Sequence, residues 1–189
     1  MRVLLLALLA LGACVSPDGA SGPYQSQAEA PRNTAAAERL TKQAADIIES
    51  DPGRAEQLLR EALAEDLFFG PAHNNLGVLF LERGDLYEAA SEFEWARKLM
   101  PGHPDPRMNL ALTLDRTGQS EEALAAYTAT LEVYPGHIGA IQGLARLAVM
   151  EDREEPRLES WLKRITLEGD SEDWRTWAQS QHRPTTGAQ

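Results

Sequence analysis

Four histidines, one cysteine and several paired carboxylates are the side chains with chemistry to offer in this 189-residue chain. The histidines stand at 73, 103, 137 and 182, and no two are three or four residues apart. No helical turn can therefore aim two imidazoles at one metal ion. His103 and His137 each follow a proline by two residues and lie 34 apart, which reads as equivalent loops in neighbouring units. Such loops are separated by a helix layer, on the order of 10 Å, too far to share zinc at bonds of about 2 Å. The acidic groups (Glu121-Glu122, Glu154-Glu155, and Asp170 to Asp173) fall where helices are expected to start, and there they complement the helix dipole. No glycine-rich phosphate loop, Gly-x-Ser-x-Gly elbow or His-Glu-x-x-His helix occurs. These absences predict no enzyme, no metal and no cofactor. A net charge of −11 speaks against nucleic acid, whose affinity comes from lysine and arginine on phosphates. Two asparagines, Asn75 and Asn109, are again 34 apart. An amide offers both donor and acceptor, which suits the backbone of an extended peptide.

The interval of 34 also runs through the elements that must position those side chains. Leu76-Gly77, Phe80, Gly84, Ala89, Phe93, Ala96 and Pro101 map onto Leu110-Ala111, Leu114, Gly118, Ala123, Tyr127, Thr130 and Pro135. Gly84 and Gly118 divide each unit into two helices, with apolar residues at helical spacing before and after the turn. Gly77 opposite Ala89, and Ala111 opposite Ala123, predict a close helix crossing, with Phe80, Phe93, Leu114 and Tyr127 packed beside it. Asp85 with Glu88 reads as a capping box, Pro71 and Pro104 suit a first helical turn, and Pro101 and Pro135 end the helices before them.

A 34-residue helix-turn-helix with these residues resembles the tetratricopeptide repeat. The resemblance implies an all-α fold: a right-handed solenoid of antiparallel helix pairs, about four units with degenerate end caps, across residues 36–181. Upstream, Leu40, Ala44, Ile47 and Ile48 form one stripe, and Asp51-Pro52 opens a second helix with Ala55, Leu58, Leu59, Ala62 and Leu63. This is the expected N-terminal cap. Downstream, Ile141, Leu144-Ala145 and Ala148 keep the frame, but Arg157, Trp161, Arg164 and Gly169 depart from it. A last short helix over 172–181, capped by Asp170 or Ser171, would use Trp174 and Trp177 to cover the stack. The tail from 182 to 189 is expected to be disordered.

In the family, first helices line a concave groove that holds a peptide or another helix. The positions that do so correspond here to Asn74, Asn75, Val78 and Leu81, then Met108, Asn109, Leu112 and Arg116, then Gln142 and Arg146, with Asp115, Gly139 and Gly143 also on groove positions. Asn75 and Asn109 share one position and would stack as a ladder. The lysines that clamp a C-terminal carboxylate in chaperone-binding relatives are missing, so that ligand is not expected.

The chain opens with Arg2 and an apolar run from Val3 to Leu11, too short to span a bilayer and flanked like a secretory signal. The run ends in Leu11-Gly12-Ala13-Cys14, whose cysteine is the only one in the chain. A single cysteine excludes an intrachain disulfide. The segment resembles the bacterial lipobox, which implies a signal peptide over 1–13, a lipid (palmitate among its chains) on Cys14, and attachment to a membrane. Val15 after the cysteine leans, within that resemblance, toward the periplasmic face of the outer membrane. Residues 14–35, rich in Ser, Pro, Gly and Ala, read as a flexible linker with a reach of roughly 25 Å. Lipobox and repeats together resemble the tetratricopeptide lipoproteins that assist pilus or outer-membrane assembly. The expected function is a membrane-anchored adaptor for a protein or peptide partner in the bacterial cell envelope. The alternative is a structural homodimer through the C-terminal tryptophans or a repeat edge.

Overall fold

A computed structural model describes residues 32–181, all helical apart from short turns and one isolated bridge between Arg32 and Asp66. Four hairpins follow one another: α1 (Thr34–Ile47) with α2 (Pro52–Glu65), α3 (Gly70–Arg83) with α4 (Leu86–Leu99), α5 (Asp105–Arg116) with α6 (Ser120–Val133), and α7 (Ile138–Met150) with α8 (Leu158–Glu168). A ninth helix, α9 (Glu172–Gln181), packs on α8. Each hairpin packs internally, each second helix rests on the next hairpin's first, and the first helices also stack (α1 on α3, α3 on α5, α5 on α7). This is an all-α helical-repeat fold.

The turns show why the frame repeats. Gly84 has φ +88° and Gly118 has φ +77°, the left-handed region that only glycine enters freely. At both, the amide just after the glycine reaches back five residues, Asp85 N to Phe80 O at 2.9 Å and Gln119 N to Leu114 O at 2.9 Å. With the glycine amide donating to Leu81 O and Asp115 O, these are Schellman closures. The α7/α8 hairpin closes the same way, Arg153 N to Ala148 O at 2.9 Å, around Asp152 at φ +48°. Asp152 stands 34 residues after Gly118, so the turn survives where its glycine does not.

Caps follow the sequence in part. Asp51 accepts from the Arg54 amide at 3.0 Å, with Pro52 in the first turn of α2. Ser171 accepts from the Trp174 amide at 3.3 Å and caps α9. The capping box expected at Asp85 does not form: its carboxylate takes the Arg83 guanidinium instead, and α4 starts without a side-chain cap. Pro104 precedes α5, and Pro106 is the proline within its first turn.

Helix α1 begins at Thr34, two residues before the expected start, because Asn33 caps it and the preceding backbone is pinned. The Asn33 amide donates to Glu65 O at 2.8 Å. Asp66, 1% exposed, accepts from Thr34 Oγ1 at 2.7 Å and from the Phe68 amide at 3.0 Å, with Arg32 at 3.5 Å. Burial alone would raise the Asp66 pKa, but the bonds from Thr34, the Phe68 amide and Arg32 outweigh it and hold the carboxyl below its ordinary value. Residues 1–31 and 182–189, with Cys14, lie outside the described residues.

The crossing inside α3/α4 is tighter than sequence alone suggests, and its partner differs. A methyl group on Gly77 would come within 2.7 Å of Phe93 Cε1, so glycine faces the Phe93 ring rather than Ala89. Phe93, Ala89, Ala111 and Ala123 are all fully buried. The apolar interior forms two clusters, one under α1–α4 and reaching Leu110 and the other from Ala111 to Ala178, with Leu114 packed against both.

Candidate functional site

The stacked first helices place the candidate residues in two groups. In the first, an amide chain crosses the repeats: Asn109 Nδ2 donates to Asn74 Oδ1 at 3.2 Å, and Asn74 Nδ2 donates to Asn75 Oδ1 at 3.4 Å. This corrects the expected ladder. Asn109 pairs with Asn74, because the stagger between α3 and α5 brings residues 35 apart face to face. Val78 is half-buried among apolar neighbours of that group. Leu81 departs further, being 6% exposed and part of the core, so its side chain does not line a groove. Only its carbonyl takes part, accepting from Arg116 Nη1 at 3.3 Å.

The second group converges. Met108, Leu112 and Arg116 of α5 and Gln142 and Arg146 of α7 border one cavity of about 420 Å³. Its floor is Tyr127 of α6, which reaches the first-helix face because residue 143 is glycine: a methyl there would lie 2.3 Å from Tyr127 Cζ. The Tyr127 hydroxyl donates to Asp115 Oδ2 at 3.2 Å, and the same oxygen takes the Arg146 guanidinium in an ion pair. Burial first, then the Asp115 charge, push the phenol pKa up, so the hydroxyl stays a donor across the physiological range. Gln142 is 2% exposed and donates to Asp170 Oδ1 at 2.9 Å, which ties α7 to the turn before α9. It positions the cavity wall and does not present an amide to the opening.

The opening is thus bordered by Met108, Leu112 and Trp174, with Arg116 at its rim. Arg116 is exposed, and no carboxylate among the described residues pairs with it. Arg146 is committed to Asp115. Chemically the cavity offers an apolar patch for a side chain, one available guanidinium, and polar groups already bonded to each other.

Sequence reasoning assigned Tyr127 to packing and Trp174 to end-covering, so their place beside the cavity was missed. The signal for Tyr127 was a hydroxyl replacing Phe93 one repeat on, together with Gly143 where Asn75 and Asn109 stand. Trp174 and Trp177 are half-buried against α7/α8 core residues, edge to face with centroids 5.3 Å apart. Among the described residues no group of three or more His, Cys, Asp or Glu is placed to hold a metal, and no helix is long and apolar enough to cross a membrane.

Two tetratricopeptide repeat profiles match the chain, one over residues 49–104 and one over 80–147, together just over half of it. The chain belongs to the tetratricopeptide repeat family. Mouse tetratricopeptide repeat protein 8 is 28% identical over 88 residues, 47% of this chain and 17% of that protein; its human counterpart matches to the same extent, over 16% of its length. The chain thus spans about a sixth of these relatives. Among solved structures, Pseudomonas aeruginosa pilF superposes with TM-score 0.66 at 21% identity, over 76% of this chain and 66% of that one. The first repeat domain of Spaghetti (RPAP3), solved with an HSP90 peptide, superposes with TM-score 0.61 at 15% identity, over 64% of this chain and 97% of that one. At these identities the likeness is one of fold.

Proposed function

We propose that this protein is a non-enzymatic adaptor that holds a peptide or protein segment on its first-helix face. We further propose that lipid on Cys14 anchors it to the bacterial envelope, at the periplasmic face of the outer membrane. The observation that carries the binding reading is the cavity between α5 and α7, where five side chains expected from the repeat frame converge, among them the Arg116 guanidinium, which no carboxylate of the described residues pairs with. A segment lying there would put an apolar side chain between Leu112 and Trp174, and meet Arg116 with a carbonyl or carboxylate. Support also comes from a repeat-domain fold neighbour solved with a peptide bound. The anchor rests on the lipobox-like Leu11-Gly12-Ala13-Cys14 alone.

One experiment tests both parts: crosslinking of the full chain in bacterial cells, followed by recovery from envelope and soluble fractions. Asn109→Ala with Arg116→Ala should lower partner capture about tenfold, since each lost hydrogen bond contributes about 0.5–1.5 kcal/mol. The melting temperature should stay within a few degrees. Unchanged capture removes the groove from the account. Cys14→Ser should move the protein to the soluble fraction and abolish palmitate labelling, and a variant that stays membrane-bound refutes the anchor.

A further inference from the structure

The opposite side of the molecule carries a second cleft, and the repeat frame says what is missing from it. It runs between α4 and α6, holds about 470 Å³, and is floored by Leu110 and Leu114 of α5. Its walls carry short side chains, Ala90 and Ser91 on α4 and Ala126 and Ala129 on α6, beside the longer Glu94, Arg97 and Glu122. Arg107 stands at one end, with its Nη1 on the His103 carbonyl at 3.3 Å.

Thirty-four residues earlier, the same positions are filled. Arg107, Ala126 and Ala129 correspond to His73, Glu92 and Trp95. There the imidazole, 4% exposed, lies 2.6 Å from Glu92 Oε2 through Nδ1 and 2.9 Å from the Leu67 carbonyl through Nε2. It also stacks on the Trp95 indole, centroids 5.7 Å apart and planes 14° from parallel. Nitrogen, carboxylate and indole make a plug. In the next unit a cation replaces the imidazole, but alanines replace the carboxylate and the indole. No carboxylate among the described residues pairs with Arg107. The cleft's own acids do not supply one: Glu94 takes Arg97 at 2.6 Å, and Glu122, in the first turn of α6, lies at the far end of the antiparallel α5/α6 hairpin. A guanidinium beside bare leucine and alanine surface lacks the two groups that its counterpart has within the chain.

We propose that the α4/α6 cleft is a second docking site, whose occupant is a partner's amphipathic helix presenting an acidic side chain beside an aromatic one. The carboxylate pairs with Arg107, and the aromatic ring covers Leu110, Ala126 and Ala129, the place that the Trp95 counterpart leaves open. Small residues on both walls let the visiting helix sit close. From Ala90 to Arg97 and from Glu122 to Ala129 the walls run about 10 Å, enough for two helical turns. The site lies across the junction of the two apolar clusters and is separate from the first-helix face.

The test is an anisotropy titration of the full chain with a fluorescein-labelled, alanine-based helical peptide carrying one glutamate and one tryptophan three residues apart. Saturable binding is expected, weakened about tenfold or more by Glu→Gln in the peptide or by Arg107→Gln in the protein, as for loss of a charge-assisted bond. Ala126→Glu with Ala129→Trp rebuilds the plug and should abolish binding. Should that variant fail to fold, Ser91→Trp closes the cleft from the other wall and carries the same test. Asn109→Ala with Arg116→Ala, on the other face, should leave this binding intact. The proposal is overturned by absence of saturable binding to the wild type, or by equal binding to the plugged variant. It is also overturned if the wild type sediments as a dimer that Ala129→Trp converts to monomer, because a second copy then fills the cleft.

Discussion

Two junctions between successive repeats occupy the same frame positions with opposite chemistry. Between the α3/α4 and α5/α6 units the joint is Phe93, Leu81 and Leu112, with the first two buried and the third packed against them. Between the α5/α6 and α7/α8 units the corresponding residues, each 34 later, are Tyr127, Asp115 and Arg146, joined by one hydrogen bond and one ion pair. The frame decides where a side chain sits, and its chemistry decides whether that place is core or site. The apolar joint joins the core that runs under α1–α4. The polar joint leaves a cavity whose floor is a hydroxyl-bearing ring, and a glycine at 143 gives that ring room. The three changes are consistent only together: a hydroxyl without Asp115 would lack its acceptor, and Asp115 without Arg146 would keep the Tyr127 bond but lose the charge that balances it.

The largest effect expected from breaking this comparison lies in the apolar joint. Gly77→Leu should destabilise the protein by roughly 1–3 kcal/mol or more, because its first carbon already falls inside the Phe93 ring's contact distance. Urea unfolding followed by circular dichroism reads it, and Phe93→Leu in the same chain should recover part of the loss. Full stability in the Gly77→Leu protein would mean that the α3/α4 crossing is loose and that the joint is not set by packing.

Exchanging the two rings gives a smaller and asymmetric effect. Phe93→Tyr places a hydroxyl beside Leu81 with no acceptor side chain there, and should cost about 1–3 kcal/mol. Tyr127→Phe keeps the ring and removes one bond from Asp115, which retains Arg146, and should cost about 0.5–1.5 kcal/mol. Replacing Tyr127, Asp115 and Arg146 together by Phe, Leu and Leu should be less harmful than Asp115→Leu alone, since the single change leaves Arg146 without its carboxylate. Thermal melts of the four proteins order these outcomes. Equal costs for the two ring exchanges would show that the polar joint is a surface feature, without influence on packing.

Much of this architecture was legible in the sequence because helical repeats write their contacts locally. Leucine and small residues at fixed offsets, glycines at turns and prolines after helices each act within a few residues, so the hairpins and their order could be read directly. What escaped depends on contacts between hairpins. The stagger that pairs Asn109 with Asn74 rather than Asn75 is set by how α5 rests on α3. The burial of Leu81 follows from Arg116 and α5 covering it, and the reach of Tyr127 needs Gly143, 16 residues on. Asp66 and His73 were unremarkable in sequence, since their partners Thr34 and Glu92 come from other helices.

The smallest effect concerns the turn that the two compared units share and the third does not. Gly84 and Gly118 take positive φ without strain, whereas Asp152 holds φ +48° with a side chain attached. The Schellman bonds are present in all three, so the closure is retained at the cost of a left-handed conformation that an L-residue adopts reluctantly. Asp152→Gly should therefore stabilise the protein by up to about 1 kcal/mol, offset in part by the greater freedom of glycine in the unfolded chain. Asp152→Ala should destabilise it, because alanine lacks the short polar side chain that makes this region tolerable for aspartate. If both substitutions lower the melting temperature equally, the Asp152 side chain is contributing more than its backbone costs, and the third turn is held by that contribution rather than by inheritance of the glycine frame.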